Sequence, residues 1–338
     1  MASITLVVPF GLPPAEFAAD LVRAAQAPAL AALLSRCKTQ AYHAFDVDSR
    51  VLPHEGWLAQ HLNAPGAGAP LAAAVMQGYG AARDAGHWFL MHPIHVQAAR
   101  NHLVMQDRRA LQLGEAESRT LFDAIEPFFA EDGKQLVYGD AQTWFMRADD
   151  WAGLATASPD AAAGSNMAAW MPAGDAARSF RRLQNEVQML WHSHPVNAAR
   201  QERGLPAVNS FWLWAGATAP APAPNILASV HAPDWLAALA APALRNAAPD
   251  QLLAAKGGAA ALCHLLPAGL SGDWSEWLLG MEALDKDWFA PMLGALRTGK
   301  IDELALVFSH RDGWSEFRTG KMSLRQFWRP LNLKKLLP

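Results

Sequence analysis

The sequence predicts an α/β fold in which a mixed sheet is flanked by helices on both faces and has a small antiparallel addition. Short strand-like runs alternate with segments of helical periodicity along most of the chain, which is typical of α/β proteins. The composition is 51% hydrophobic and 17% charged, too apolar for a disordered chain. At 338 residues the chain reaches the size at which single cores stop growing. We therefore expect one large domain with an appended lobe, or two unequal domains.

The charge balance excludes a general affinity for polyanions. The chain has 28 Lys and Arg against 31 Asp and Glu, a formal charge of −3. Nucleic acids and anionic membrane surfaces attract proteins through a basic field, which this balance does not supply. No window approaches the roughly 20 apolar residues of a membrane helix. We expect a soluble protein with no nucleic-acid and no membrane partner.

The N-terminal part of the chain alternates strand and helix signals. Residues 4–9 have the pattern of a strand, and a run of helical periodicity follows from Pro14 to Arg36, interrupted by Pro28. Further helices are predicted at 52–63 and 71–86, and a strand at 87–96.

The middle of the chain continues this alternation. An amphipathic helix is predicted at 114–133, ended by Gly133, followed by two short strands within 135–147. The longest helical run is 175–192, and a buried strand is predicted at 210–215.

The clearest linker is the segment ATAPAPAP, which is low in complexity and stiffened by proline. We predict an N-terminal α/β part at 1–216, a linker at 217–225, and a C-terminal α/β part at 226–338. The C-terminal part completes the same domain or an adjoining one. Its predicted elements are strands at 226–230 and 260–266, helices at 234–245 and 273–296, and a β-hairpin around Arg311-Asp312-Gly313.

The cysteines indicate a reducing compartment. Cys37 and Cys263 are far apart in sequence and lack CxxC spacing, which argues against a disulfide framework or a cysteine zinc site. The first residues, MASITLVVPFGLPP, lack the positive region of a signal peptide. We expect a cytoplasmic protein with buried, reduced thiols.

A short helix after Pro195 offers a candidate anion site. Asn197, Arg200 and Arg203 have i, i+3, i+6 spacing, which places them within about 120° of arc on a helix. The planar fork of arginine matches carboxylate and phosphate oxygens, so this face suits a small phosphorylated or carboxylated anion. The alternative is a solvated face in which both arginines pair with Glu202 or other surface acids.

The histidines suggest a second, weaker site. His231 and His310 end predicted strands, His264 lies inside another, and Asp312 is close to His310. Ligands of open α/β sheets gather outside the carboxyl ends of strands, so these side chains could converge on a metal. The alternative is coincidence, with Asp312 acting only as a turn residue.

Other histidines and the common catalytic motifs indicate no site. We expect His87, His92 and His95 to serve packing or hydrogen bonding. The HSHP segment containing His192 and His194 lacks the downstream Ser and Asp of a zinc metallo-isopeptidase. HExxH, P-loop, GxGxxG and GxSxG signatures do not occur in the sequence.

Two family resemblances connect these motifs. The segment LQNEVQMLWHSHPVNAARQERGLPAVNSFWLWAGA, with LPHEGWLAQHLN, WFLMHPIHVQAARNHLVM and FWRP, resembles the proteobacterial RpfE-type regulatory proteins. HPVNAARQERGLPAVN also resembles archaeal-type cofactor-independent phosphoglycerate mutases of the alkaline phosphatase superfamily. The second resemblance implies an alkaline-phosphatase-like sheet flanked by helices. It also implies that the substrate region is lined by His194, Asn197, Arg200, Arg203 and Asn209.

The chain departs from the mutase pattern where the metals would bind. The resemblance implies two metals held by an Asp just after the first strand, a Ser or Thr nucleophile, and Asp and His residues from the C-terminal half. Here the first strand continues into Pro9-Phe10-Gly11-Leu12, with no acid before Glu16. His92 replaces the Asp expected before Pro93. These departures argue against two-metal phosphoryl transfer.

Our leading hypothesis is a phosphoglycerate-mutase-like protein without recognisable metal ligands. It would be non-catalytic or regulatory, bind a small anionic metabolite, and need no cofactor; its protein partner is unknown. One alternative is a metal-dependent phosphoesterase or mutase that uses Mn or Zn at a rearranged site of His231, His264, His310 and Asp312. Another is a structural partner-binding protein with an exposed Trp patch.

Overall fold

A computed structural model of the chain describes residues 2–46, 49–66, 68–81, 85–219, 225–255, 257–326 and 328–337. Its strands are β1 (Ser3–Val8), β2 (Thr39–Ala44), β3 (Gly86–Ile94), β4 (Val96–Ala98), β5 (Leu103–Met105), β6 (Gln135–Tyr138), β7 (Trp144–Arg147), β8 (Ser210–Ala219), β9 (Leu227–Val230), β10 (Gly258–Leu262), β11 (Glu303–Ser309) and β12 (Gly313–Gly320).

Helices connect most of these strands. They are α1 (Ala18–Ala24), α2 (Pro28–Ser35), α3 (Pro53–His61), α4 (Ala72–Gly78), α5 (Glu115–Glu131), α6 (Pro159–Ala162), α7 (Met167–Trp170), α8 (Ala177–His192), α9 (Pro195–Glu202), α10 (Asp234–Leu239), α11 (Pro249–Ala254), α12 (Leu266–Ser271), α13 (Trp274–Leu284) and α14 (Ala290–Thr298). Among the described residues, every helix is too short or too polar to cross a lipid bilayer.

Contacts divide the chain into two compact units. The first unit comprises Met1–Asp48 and Pro224–Pro338, and the second comprises Ser49–Ala223. The first 48 residues group with the C-terminal part because β1 pairs with β10 and β11. Residues 220–224 of the predicted linker 217–225 lie outside the described residues, and 217–219 continue β8. The predicted domains 1–216 and 226–338 stay a prediction.

The sheet of the first unit is mixed, as predicted. Its strand order is β2-β12-β11-β1-β10-β9. The four strands β9, β10, β1 and β11 are parallel, whereas β12 and β2 are antiparallel. The central strand β1 buries Ile4, Leu6 and Val8 in the core that α2, α13 and α14 also line. An apolar run buried in this way is typical of a parallel strand covered by helices.

The second unit is built on an antiparallel sheet. Its strand order is β6-β7-β3-β8, and β4 pairs with β5 in a separate two-stranded ribbon. Helices α5 and α8 bury their apolar faces against this sheet. Aromatic side chains fill much of that core, among them Phe122, Phe129, Trp144, Phe180, Trp191 and Phe211. Their edge-to-face pairs include Trp144 with Trp191 and Phe180 with Phe211.

Several predicted elements are confirmed, and others differ at their ends. The hairpin around Arg311-Asp312-Gly313 is present as β11 and β12. The edge strand β2 has no apolar alternation and is exposed at every residue, so the sequence pattern did not predict it. The strand predicted at 260–266 ends at Leu262, because the chain turns through Cys263–Leu265 into α12. His264 therefore lies at the carboxyl end of a strand and not inside one.

A buried carboxylate joins α2 to the long C-terminal helix of the first unit. The π-helical turn Asp285–Phe289 connects α13 and α14. Asp285 accepts hydrogen bonds from the backbone N–H of Leu30 at 2.7 Å and of Ala29 at 3.1 Å. Burial raises the pKa of Asp285, although these two amides oppose that change. The carboxylate thus satisfies amide groups in the first turn of α2, which have no partner within the helix.

We expect Asp285→Ala to lower the free energy of unfolding by about 1–3 kcal/mol, since two buried amides lose their acceptor. Asp287→Ala, two residues further along and exposed, is the matched control and should cost about 0.5 kcal/mol or less. Urea unfolding of both variants measures the difference. Equal effects of the two substitutions would show that Asp285 does not stabilise α2.

Candidate functional site

The predicted anion-binding face lies on α9 of the second unit and points largely to the interior. His194 begins the helix as its N-cap, with Nδ1 accepting from the Val196 N–H at 3.2 Å. Asn197 and Arg200 are buried, whereas the side chain of Arg203 is 54% exposed. The three residues therefore share a face, as the spacing predicted, but only Arg203 is open to solvent.

Both asparagines of the predicted site connect chain segments. The Asn197 side chain donates to the carbonyls of Trp191 and Val208, both at 2.7 Å, and accepts from the Val208 N–H at 2.8 Å. Asn209 bonds the N–H of Val96 at 2.8 Å and its carbonyl at 2.7 Å. Each carboxamide uses both its donor and its acceptor on backbone groups, so each stabilises a loop.

The two arginines hold a carboxylate that belongs to the chain itself. Arg200 Nη1 donates to Glu117 Oε2 at 2.5 Å, and Arg203 Nη2 bonds Glu117 Oε1. The remaining nitrogens of Arg200 donate to backbone carbonyls, Nε to Pro206 at 2.9 Å and Nη2 to Leu111.

Electrostatics agree with this arrangement. Partial burial would raise the pKa of Glu117, but hydrogen bonds from Arg203 and Arg200 outweigh it and hold that pKa below its ordinary value. The Glu117 carboxylate thus contacts the guanidinium groups that the helical spacing predicts would bind the oxygens of a ligand. Ligand binding by this face stays a prediction.

Two of the predicted strand-end histidines do come together, in the first unit. The carboxyl ends of β9, β10, β1 and β11 lie at one edge of the sheet, because these strands are parallel. His231 follows β9 and His264 follows β10, and their ring centroids are 4.4 Å apart. His231 has a φ of +51°, so the chain turns sharply there.

His264 is the more enclosed member of this pair. Its Nδ1 atom is buried and has no hydrogen-bond partner among the described residues. Burial and the adjacent His231 lower the pKa of His264 to about 4, partly opposed by Asp287. The ring is therefore neutral at pH 7 and retains an unused nitrogen.

His310 and Asp312 form a separate group at the same edge. His310 Nδ1 accepts from the Asp312 N–H at 3.2 Å, and Nε2 lies 3.3 Å from the Tyr42 hydroxyl. Strand β1 lies between β10 and β11, so His310 is two strand spacings, roughly 10 Å, from His264. In the part of the chain that the structure describes, no group of three or more His, Cys, Asp or Glu could hold a metal ion.

The position after β1 is filled by apolar packing. Phe10 is only 6% exposed and has a φ of +56°. Its carbonyl accepts from Trp277 Nε1 at 2.8 Å, and its ring packs so closely on Gly269 that a Cβ there would overlap it. The guanidinium of Arg311 lies 6.0 Å from the ring centroid. A buried aromatic ring where the mutase resemblance implies an acidic ligand does not fit a two-metal centre.

The histidines of β3 and its end have the hydrogen-bonding role that we expected. His92 is buried, with Nδ1 2.6 Å from the Gln142 carbonyl and Nε2 accepting from Trp214 Nε1 at 2.8 Å. Burial and the charge of Arg108 hold the pKa of His92 well below its ordinary value, so the ring is neutral. His95 Nδ1 similarly lies 2.7 Å from the Ala207 carbonyl.

A buried acid–base cluster in the second unit was not predicted. His54 and Glu55 of α3 and Asp160 of α6 are all buried. Arg109 donates to the Asp160 carboxylate from Nη1 at 3.1 Å and from Nη2 at 2.8 Å. Its Nη1 also donates to Asp107 Oδ1 at 2.9 Å. The only sequence signal was the acid at the third position of α3, where Glu55 Oε2 accepts from the Leu52 N–H at 2.7 Å.

Burial shifts both members of the His-Glu pair towards their neutral forms. It raises the pKa of Glu55 to about 8, with a further contribution from the charge of Asp160. It lowers the pKa of His54 to about 4, against the opposing effect of Asp160. At neutral pH the buried charge of Asp160 is therefore paired with that of Arg109, as expected where isolated buried charges are costly.

We expect Arg200→Ala to lower the free energy of unfolding by about 3–5 kcal/mol, because it leaves buried carbonyls without donors and breaks a buried ion pair. Arg203→Ala removes an exposed partner of the same carboxylate and should cost about 0–1 kcal/mol. Denaturant unfolding at pH 7 measures both variants. A small effect of Arg200→Ala would contradict its structural role.

We expect Glu55→Gln to change the pH dependence of stability. The folded state holds the Glu55 proton up to about pH 8, whereas a carboxyl of ordinary pKa 4.5 releases it earlier. The free energy of unfolding of the unmodified chain therefore falls as pH rises between these values. Thermal unfolding should show Glu55→Gln gaining stability over the parent chain from pH 5 to pH 9. Glu126→Gln, exposed on α5, is the control, and parallel pH profiles for all three would contradict the prediction.

Comparison with known proteins shows sequence similarity over part of this chain. No protein-family model matches it. A probable 2,3-bisphosphoglycerate-independent phosphoglycerate mutase from Geobacter sulfurreducens is 29% identical over 133 residues. That match covers 39% of this chain and 33% of the relative, so it spans a third of the relative's length.

Two solved structures resemble the chain over most of its length. The cofactor-independent phosphoglycerate mutase from Thermoplasma acidophilum has a TM-score of 0.45 and 14% identity, with 99% of this chain and 94% of that chain covered. The PH0037 protein from Pyrococcus horikoshii has a TM-score of 0.55 and 12% identity, with 94% and 87% covered. The likeness to the PH0037 protein shows a similar fold. The chain is thus a mixed α/β protein with distant sequence similarity to cofactor-independent phosphoglycerate mutase.

Proposed function

We propose that this chain is a non-catalytic or regulatory protein, distantly similar to phosphoglycerate mutase, that binds a small phosphorylated or carboxylated anion. The site lies at the carboxyl edge of β9, β10, β1 and β11. The observation that supports it most directly is the His231–His264 pair, in which a buried imidazole nitrogen has no hydrogen-bond partner among the described residues.

The chemistry of this edge suits an anion. Ligands of open α/β sheets bind outside the carboxyl ends of the parallel strands. A neutral imidazole donates one N–H, and a phosphate or carboxylate oxygen accepts it. Arg311, which is exposed and follows β11, adds a guanidinium at the same edge beside Phe10. The net charge of −3 does not prevent a local group of donors of this kind.

The α9 face is a weaker candidate for the same ligand. Glu117 already neutralises Arg200 and Arg203, and the side chain of Arg200 is 0% exposed. An external anion would have to displace this carboxylate, at the cost of a buried ion pair. His194 and Arg203 are the members of the face that solvent reaches.

Packing around Phe10 supports binding over phosphoryl transfer. Two-metal phosphoryl transfer needs anionic ligands to hold the cations that neutralise the moving group. The mutase resemblance implies one such ligand just after the first strand, and in this chain the buried ring of Phe10 occupies that position. A regulatory role, a cytoplasmic location and membership of the RpfE-type proteins remain part of this proposal, based on the sequence.

The test is whether the purified protein binds inorganic phosphate, 3-phosphoglycerate or malonate. Thermal shift and calorimetry measure this binding. We expect at least one anion to raise the melting temperature. His264→Gln should lower the affinity for that anion by about tenfold, which corresponds to the loss of one hydrogen bond. Arg311→Ala should weaken it as well.

Two control variants separate this site from the alternatives. Arg203→Ala and His102→Gln, both on the second unit, should leave anion binding unchanged. Loss of binding in Arg203→Ala alone would assign the ligand to α9 instead. Stoichiometric Mn or Zn in protein purified without chelator, together with turnover of phosphate esters, would overturn the non-catalytic proposal.

A further inference from the structure

Cys37 and Lys335 form a contact that the proposed function does not use. The ammonium nitrogen of Lys335 lies 2.8 Å from Cys37 Sγ, although the residues are 298 positions apart. Cys37 lies between α2 and β2, and Lys335 lies in the short 3₁₀ turn Lys334–Leu336. Among the described residues Lys335 forms no ion pair with a carboxylate, and its ammonium group contacts this thiol.

The segment 331–337, here called the C-terminal strap, holds this contact in place. Ser35 Oγ donates to the Asn332 carbonyl at 3.2 Å and accepts from the Asn332 N–H at 3.0 Å. Leu333 and Leu336 are buried in the core of the first unit. These contacts on both sides of Lys335 therefore keep its nitrogen beside the thiol and limit the positions that the side chain can reach.

We propose that Cys37 and Lys335 are a modification site, at which a peroxide oxidant joins the two side chains through a sulfur–nitrogen bond. Hydrogen peroxide first transfers one oxygen to Sγ, which forms a sulfenic acid and releases water. The Lys335 ammonium gives one proton to solvent, and the resulting amine attacks Sγ. The S–N bond forms as the S–O bond breaks, the amine loses a second hydrogen, and the hydroxyl leaves as water.

The balance of this reaction is one thiol, one amine and one peroxide giving one sulfenamide and two waters. Sulfur loses two electrons and the peroxide gains them. Sulfenic acids undergo the same condensation with backbone nitrogen, so the chemistry needs only a suitably placed amine. A thiol reductant reverses it by attacking sulfur and releasing the amine.

Access to the thiol depends on the strap. Cys37 is 4% exposed, so peroxide reaches it when the strap detaches locally. The strap contains only one short 3₁₀ turn, and its Leu331 and Leu337 side chains are exposed. Segments with few buried contacts open at lower free energy than central strands and helices. Once formed, the bond closes a very long loop and fastens the strap, which restricts the unfolded chain. Oxidation would then stabilise the first unit.

Mass spectrometry tests this proposal on the full chain. After peroxide treatment and proteolysis, we expect a linked peptide pair containing Cys37 and Lys335, lighter by two hydrogens than the sum of the two peptides. Dithiothreitol should separate the pair. The oxidised chain should also melt at a higher temperature than the reduced chain.

Matched variants distinguish the pair from general oxidation. Cys37→Ser and Lys335→Arg should abolish both the linked peptide and the thermal shift, since a hydroxyl and a guanidinium cannot replace the reacting groups. Lys334→Arg, one residue away, and Cys263→Ser should retain both. Sulfinic acid at Cys37 with Lys335 unlinked, or a link that persists in Lys335→Arg, would overturn the proposal. A linked pair heavier by one oxygen would overturn the sulfenamide step.

Discussion

The pairing of β1 between β10 and β11 is the constraint on which the first unit depends. It inserts a strand from the start of the chain between two strands from its end, with parallel register on both sides. Parallel pairing places the carboxyl ends of β9, β10, β1 and β11 at one edge. The histidine pair and Phe10 share that edge for this reason, although more than 200 residues separate Phe10 from His231 in the chain.

The second unit is organised by the cost of burying charge. A guanidinium or carboxylate that leaves water must find partners, or its neutral form is favoured. Arg200 satisfies this requirement with Glu117 and two carbonyls, and Asp160 does so with Arg109. Glu55 takes the other course and keeps its proton. Polar residues in this unit thus connect helices and loops that are distant in sequence.

Sequence patterns predicted the elements with strong periodicity and failed where tertiary contacts decide. The burial of β1 and the amphipathic face of α8 follow from local patterns, as does the Asp-Gly turn of the hairpin. Strand β2 has no such pattern, because it is an exposed edge strand that exists through its pairing with β12. The partners of Arg200 were missed because Glu117 lies 83 residues away on another helix.

By itself, the sequence determined the fold class, the spacing that places Asn197, Arg200 and Arg203 on one face, and the absence of an acid after the first strand. The two guanidinium groups bind a carboxylate of the chain itself, and binding of an external anion by this face stays a prediction. Only the tertiary structure decided that this carboxylate is Glu117, that His231 meets His264 while His310 does not, and that Cys37 lies against Lys335. Local periodicity depends on neighbouring residues, whereas these contacts depend on distant segments that only the packed core brings together.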